Sequence, residues 1–266
     1  MNFIIYPPKT AIAGHILGYP IRYYGLIMAF CFLVGVFLAY FLFYKRVDKN
    51  EAEKFFDYSP FVIALSLVGA RLFYVIASYD YYISYPKEII MLNHGGLSIF
   101  GAIIFGIISL FILSKKYCFD FLKHCDVLAV VFPLCQAIGR FGNYFNQEAF
   151  GYPADTFLKL YVEKQYRPDI FLDVKFFHPT FLYESILDLV IFVVLIVLFF
   201  NNKKLKTGSI FLLYLILYSF VRFFIEGLRI DSVLNIFNFH VAQLISIIIF
   251  TITLFLIVFI NKKASN

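Results

Sequence analysis

The chain contains no tryptophan in 266 residues, and only 15% of its side chains are charged. Without tryptophan, aromatic belts at two membrane interfaces have to be built from its 20 Tyr and 36 Phe. The shortage of charge excludes an ordinary soluble domain, in which about 25% of residues are charged. A hydrophobic content of 62% and a mean hydropathy of +0.82 point instead to a polytopic membrane protein. Cysteine is scarce too. Cys31, Cys118, Cys125 and Cys135 form no CxxC and no Cys/His set, so neither a structural metal nor a cofactor is expected. The opening "MNFIIYPPKTAIAGHILGYP" lacks a basic n-region and is interrupted by Pro7 and Pro8, which argues against a signal peptide. The net charge of +6 gathers in short clusters between apolar runs, so no nucleic-acid partner is expected. An inverted repeat of the kind that marks secondary transporters is also missing.

What the sequence does have is long apolar runs. A span across about 30 Å of hydrocarbon needs roughly 20 residues. Runs near 21–44, 58–78, 96–114, 126–145, 180–200, 209–227 and 241–260 predict seven transmembrane helices and an all-α polytopic membrane fold. The linkers 45–54, 115–124, 201–206 and 261–263 are basic, whereas 79–94 and 228–240 carry one basic residue each. The positive-inside rule therefore predicts an extracytoplasmic N-terminus and a cytoplasmic C-terminus. Residues 1–266 are expected to form a single transmembrane domain, with 146–179 inserted as a small extracytoplasmic cap.

Within or beside these runs lie Arg71, Arg140, Glu148, Glu184, Asp188, Arg222 and Glu226. Each is costly in lipid and so faces a partner or a cavity. Ion pairs that merely fix helix packing would account for some of them. In the predicted topology, however, Arg140, Glu148, Glu184, Arg222 and Glu226 converge on the outer half of the bilayer, which favours a site. Arg222 and Glu226 share a helix face at i,i+4 and can pair. Asp188, one turn below Glu184, is expected to be a structural partner, and Arg71 is the one clear intramembrane charge away from the group. Partly dry guanidiniums seek carboxylate or phosphate, so Arg140 and Arg222 are candidate clamps for a phospholipid headgroup. The glycines of "HGGLSIFGAIIFG" (94–106) serve either close helix packing or an entry where backbone amides approach a headgroup. His94 and His178 read as interfacial hydrogen-bonding groups rather than bases. Pro179 is expected as the first residue of the helix in "HPTFLYES" (178–185).

Five segments together resemble the prolipoprotein diacylglyceryl transferases of bacterial membranes: "IRYYGL" (21–26), "HGGLSIFGA" (94–102), "GRFGNYFNQEAFG" (139–151), "HPTFLYES" and "RFFIEGLRID" (222–231). The resemblance covers nearly the whole chain. It implies transfer of the diacylglyceryl group of phosphatidylglycerol to the lipobox cysteine of a preprolipoprotein, forming a thioether and releasing glycerol phosphate. It further implies an enzyme of the bacterial inner membrane with an extracytoplasmic active site. Arg140, Asn143, Glu148 and Gly151 match the family signature, Tyr24 its early tyrosine, and Arg222 with Glu226 its sixth span. In that scheme Arg140 and Arg222 hold the phosphate, with Asn143 and Tyr24 as donors. Glu148 and Glu226 orient the arginines, or one of them takes the thiol proton. Asn146, Gly95, Gly96 and Gly151 complete the expected phosphatidylglycerol site. Aligned on "GGLS", the chain has Phe100 at the family's histidine and Ala102 at a family glycine, and His94 precedes the first glycine pair. Either His94 substitutes, or the chain works without that histidine. A small-anion channel or transporter is the alternative, and would need a polar path reaching both sides.

The orientation is checked by labelling. In intact spheroplasts a membrane-impermeant maleimide is expected to label a cysteine placed at Gln165 and to leave Cys118 unlabelled; the opposite pattern would invert the topology.

Overall fold

The computed structural model describes residues 3–16, 18–91, 95–202, 205–230, 235–236 and 239–262. Among the described residues, seven helices are long and apolar enough to cross a membrane: Tyr23–Val47, Lys49–Ala77, Ile99–Lys116, Phe121–Asn146, Thr180–Asn201, Ser209–Gly227 and Val241–Val258. All seven expected spans are present. The first comprises α1 (Tyr23–Leu42) and a π-helical turn over Phe43–Val47. α2 (Lys49–Ala77) starts well before its apolar run, because a capped polar turn is stable in water. Asp48 accepts from the Glu51 backbone N–H at 2.9 Å, and Lys49 pairs with Glu53 at i,i+4.

Short elements precede and connect the spans. They are β1 (Phe3–Ile5), β2 (Ile12–Ile16), β3 (Tyr19–Arg22), a short helix α3 (Tyr79–Ser84) and a 3-10 turn at Pro86–Ile90. Then follow α4 (Ile99–Lys116), α5 (Phe121–Asn146), β4 (Leu158–Tyr161), β5 (Phe176–Phe177), α6 (Thr180–Asn201) and α7 (Ser209–Gly227). The last elements are β6 (Asn235–Ile236), β7 (Phe239–His240) and α8 (Val241–Lys262). The small strands are additions to the all-α expectation; β1, β2 and β3 precede the first span and the others lie between spans. α6 begins at Thr180, so Pro179 stands just before the helix rather than as its first residue. The backbone of His178 is still paired with Tyr152, which holds the chain extended up to that point.

The chain divides into two compact units, one made of residues 1–37 and 125–266 and the other of 38–124. In the smaller unit α2 packs on α4 through small residues. A Cβ at Gly101 would lie 2.5 Å from Phe73 Cβ, and one at Gly106 would lie 2.8 Å from Ser66 Oγ. Of the two readings open for these glycines, close packing therefore holds for Gly101 and Gly106. In the larger unit residues 147–179 fold with the N-terminal strand. β1 runs parallel to β4, and β5 runs antiparallel to β4. Phe150, Leu160, Val162, Phe177 and Phe181 form a hydrophobic core there, with Ile5 and Ile230 packed against it.

Gly101→Ala is expected to lower the stability of the detergent-solubilised protein by about 1–3 kcal/mol through overpacking, read from thermal unfolding.

Candidate active site

The larger unit brings four helix ends together. At the end of α5, "GRFGNYFN" places Arg140, Asn143 and Asn146 at successive steps of three, close enough to one face to act together. The helix closes with Gln147 in the left-handed region (φ 52°) and a bond from the Glu148 N–H to the Asn143 carbonyl at 3.1 Å. This is a helix-ending geometry usually given to glycine. Gln147 holds it because its side chain is buried and tied on both sides. Its Oε1 accepts from the Glu163 N–H at 2.8 Å, and its Nε2 donates to the Pro8 carbonyl at 3.3 Å. Ala149 is left-handed as well (φ 55°), so the turn folds Glu148 back over its own helix. There its Oε1 accepts from Asn143 Nδ2 at 3.0 Å and from Asn146 Nδ2 at 3.1 Å.

Below this amide pair sits the charge cluster. Glu184, in the second turn of α6, takes Arg140 Nη2 from α5. It also takes Arg222 Nη1 from α7, at 3.1 and 3.3 Å to its two oxygens. Arg222 Nη2 pairs with Glu226 at 2.6 Å, and Arg229 Nε lies 3.9 Å from the same Glu226 oxygen. The Glu184 side chain is 3% exposed, against 20% for Arg140 and 18% for Arg222. The carboxylate is therefore buried, while the two arginine side chains keep partial exposure. Arg140 Nε is buried and has no hydrogen-bond partner among the described residues. An incoming anion with several oxygens could use such donors.

The start of α1 closes another side. Tyr23 stacks on Phe145 with ring centroids 4.4 Å apart, and the Tyr24 ring lies against Gly142, where a Cβ would come within 2.5 Å of Tyr24 Cδ2. Arg140 and Glu148 both act electrostatically on Tyr24. Thus Tyr24, Arg140, Asn143, Asn146, Glu148, Arg222 and Glu226 all belong to the larger unit.

Other residues behave differently. Gly151 donates its N–H to the His178 carbonyl at 2.9 Å, and a Cβ on it would stand 2.8 Å from the Leu228 carbonyl oxygen. Close backbone packing accounts for that glycine. Gly95 and Gly96 belong to the smaller unit, where their carbonyls accept from Arg71. His94 lies outside the described residues. Phe100 occupies the first turn of α4 and is half exposed. Asp188 is fully buried, yet neither carboxylate oxygen has a hydrogen-bond partner among the described residues. The structural pairing expected of it is not formed: Glu184, one turn away, already engages both arginines, which reach Asp188 only through longer-range attraction. The sequence grouped Glu184 with the converging charges but gave it no specific role. The signal was available, because two arginines in a partly dry cavity require a shared counter-ion.

A polytopic membrane protein with paired guanidiniums over one buried carboxylate belongs to a class built to handle an anionic group within a membrane. More particularly, the chain belongs to the prolipoprotein diacylglyceryl transferase family, whose family model matches residues 11–259. It is 39% identical to a phosphatidylglycerol–prolipoprotein diacylglyceryl transferase of Clostridium novyi over 95% of this chain and 96% of that one. Relatives of the same name from Nostoc sp. (41% identical, 85% of this chain and 81% of the relative) and Thermotoga maritima (42%, 87% and 78%) are similarly related.

Glu184→Gln leaves two guanidiniums without their shared countercharge. It is expected to destabilise the protein by about 3–5 kcal/mol, measured by thermal unfolding.

Proposed function

We propose that this chain transfers the diacylglyceryl group of phosphatidylglycerol to the cysteine thiol of a prolipoprotein. One observation carries the assignment to these residues: Arg140 and Arg222, from different helices, converge on the buried carboxylate of Glu184 with their side chains partly exposed. The thiolate sulfur attacks the glycerol carbon that bears the phosphate ester. A C–S bond forms, the C–O bond breaks, and the electron pair leaves on the phosphate oxygen as glycerol phosphate. Negative charge grows on that phosphate during the step, and donors already fixed in a dry site stabilise it without reorganising. Arg140 and Arg222 serve this role, joined by Asn143 and by Tyr24 at the rim.

A cysteine thiol has a pKa near 8.5, so loss of its proton needs a base or a positive field. Glu184 and Glu226 are held by arginines. Glu148 is exposed and held by two amides, which places it to accept the proton, while the arginines supply the field. Asn146 works through Glu148. The Gly95–Gly96 turn is assigned to the lipid headgroup, by resemblance to the family. Gly151 supports the site by packing, and His94 stays outside the scheme.

In this proposal the protein substrate presents a lipobox, and the lipid reaches the site from the surrounding bilayer. The protein resides in the bacterial cytoplasmic membrane with its site on the extracytoplasmic side. Residues 146–179 cap that side, and the whole chain works as one catalytic domain. A small-anion channel finds no supporting observation. Arg71, the charge that could have lined a second part of a path, spends its side-chain donors on loop carbonyls.

The test is lipid labelling of a lipobox peptide in phosphatidylglycerol-containing proteoliposomes. Arg140→Ala and Asn143→Ala are each expected to lower the rate by roughly 10²-fold or more. Wild-type rates in both variants would overturn the assigned roles, and anion flux without phospholipid consumption would overturn the activity.

A further inference from the structure

Arg71 is a buried cation, 6% exposed, in the last two turns of α2. A guanidinium has five N–H donors and no acceptor. All five are used here, and each meets a backbone carbonyl. Nε donates to Ile89 at 2.9 Å, Nη1 to Gly95 and to Gly96 (2.8 Å), and Nη2 to Glu88 and to Met91 (3.2 Å). The acceptors flank residues 92–94 on both sides, so one side chain ties both stems of the loop between α3 and α4 to a single helix.

The surroundings are shaped to this contact. The Tyr82 ring lies against the guanidinium with Cζ 5.2 Å from its centroid, a distance at which cation and ring attract. Gly95 and Gly96 are both left-handed, at φ 85° and 77°. A Cβ on Gly96 would stand 2.6 Å from Arg71 Nη1 and 2.7 Å from Tyr74 Cε1. Only glycine lets the backbone come this close while in that conformation. Just beyond, the Ser98 N–H donates to the Ala70 carbonyl at 3.0 Å, fixing the loop to α2 again before α4 begins.

With no donor left over, Arg71 is unsuited to grip a phosphate. Arg140 differs, because its buried Nε has no hydrogen-bond partner among the described residues. We infer that Arg71 is a positioning residue: its fork of donors sets the conformation in which the Gly95–Gly96 turn receives the lipid headgroup. This inference rests on the proposed assignment of that turn to phosphatidylglycerol. The planar fork is essential to the role. A lysine keeps the charge but has three donors on one nitrogen and cannot reach five separated carbonyls.

The experiment compares Arg71→Lys, Gly96→Ala and the double variant with the wild type, all reconstituted as full-length protein. Two readouts are taken: hydrogen exchange of the amides at 88–91 and 95–98, and the split between KM for phosphatidylglycerol and kcat. Arg71→Lys is expected to speed exchange in those segments and to raise KM roughly tenfold, the scale of losing hydrogen bonds to a charged group, with kcat changed far less. Gly96→Ala attacks the same contact while keeping the arginine, and should give the same signature. The double variant should then be no worse than the more severe single variant, because both break one clasp. Wild-type exchange and KM in Arg71→Lys, or fully additive losses, would overturn the inference. If Arg71→Lys does not accumulate in folded form, Gly96→Ala decides by the same two readouts. If the wild type transfers no diacylglyceryl group, the proposed function fails, while the exchange data still decide whether Arg71 holds the loop.

Discussion

One carboxylate, Glu184, bridges two guanidiniums that come from two other helices. Stripping water from any of the three groups costs several kcal/mol, and only their mutual contact offsets it. The contact requires the end of α5, the start of α6 and the end of α7 to meet to within a few tenths of an ångström. Hydrogen bonds around it serve that requirement. Ser185 Oγ donates to the Ala137 carbonyl at 2.9 Å, and the Thr180 hydroxyl donates to the Ala149 carbonyl, so α6 is fastened to α5 and to the turn after it. Gln147 then fastens that turn to Glu163 and to the N-terminal segment at Pro8. Charge pairing, helix register and attachment of the turn are thus one problem solved together.

The same cluster leaves chemistry available. Glu184 engages one terminal nitrogen of each arginine, Nη2 of Arg140 and Nη1 of Arg222, and both arginine side chains stay partly exposed. A phosphate diester brings oxygens that can use the remaining donors, and its charge in the transition state exceeds its charge at rest. A site whose charges are already paired, but which still has an unspent donor, responds to that growth more than to the resting lipid. This is the condition for raising the rate rather than only the binding.

Arg71 and Arg140 make the contrast between two uses of one residue type. Both are poorly exposed and both sit near a helix end. One has every donor committed to loop carbonyls, and the other pairs with a carboxylate and keeps a donor without a hydrogen-bond partner among the described residues. Burial of an arginine therefore does not identify a ligand-binding group; the account of its five donors does. The glycines divide in the same way. Gly101 and Gly106 serve helix contact, Gly151 a backbone approach, and Gly96 the approach to Arg71.

By itself, the sequence determined the seven spans, since transfer into hydrocarbon is a sum over neighbouring residues and needs no knowledge of the fold. It also determined the Arg222–Glu226 pair, because helix geometry puts i and i+4 together, and the grouping of Asn143, Asn146 and Glu148 within one short segment. Tertiary structure alone decided that Glu184 is the shared counter-ion, that Asp188 has no hydrogen-bond partner among the described residues, and that β1 pairs with β4 more than 150 residues further on. It likewise decided that Arg71 serves a loop rather than an anion. Each of these depends on which helix ends and strands meet. Spacing along a chain reports what one helix or strand puts side by side, whereas long-range contacts are chosen by the packing of the whole unit.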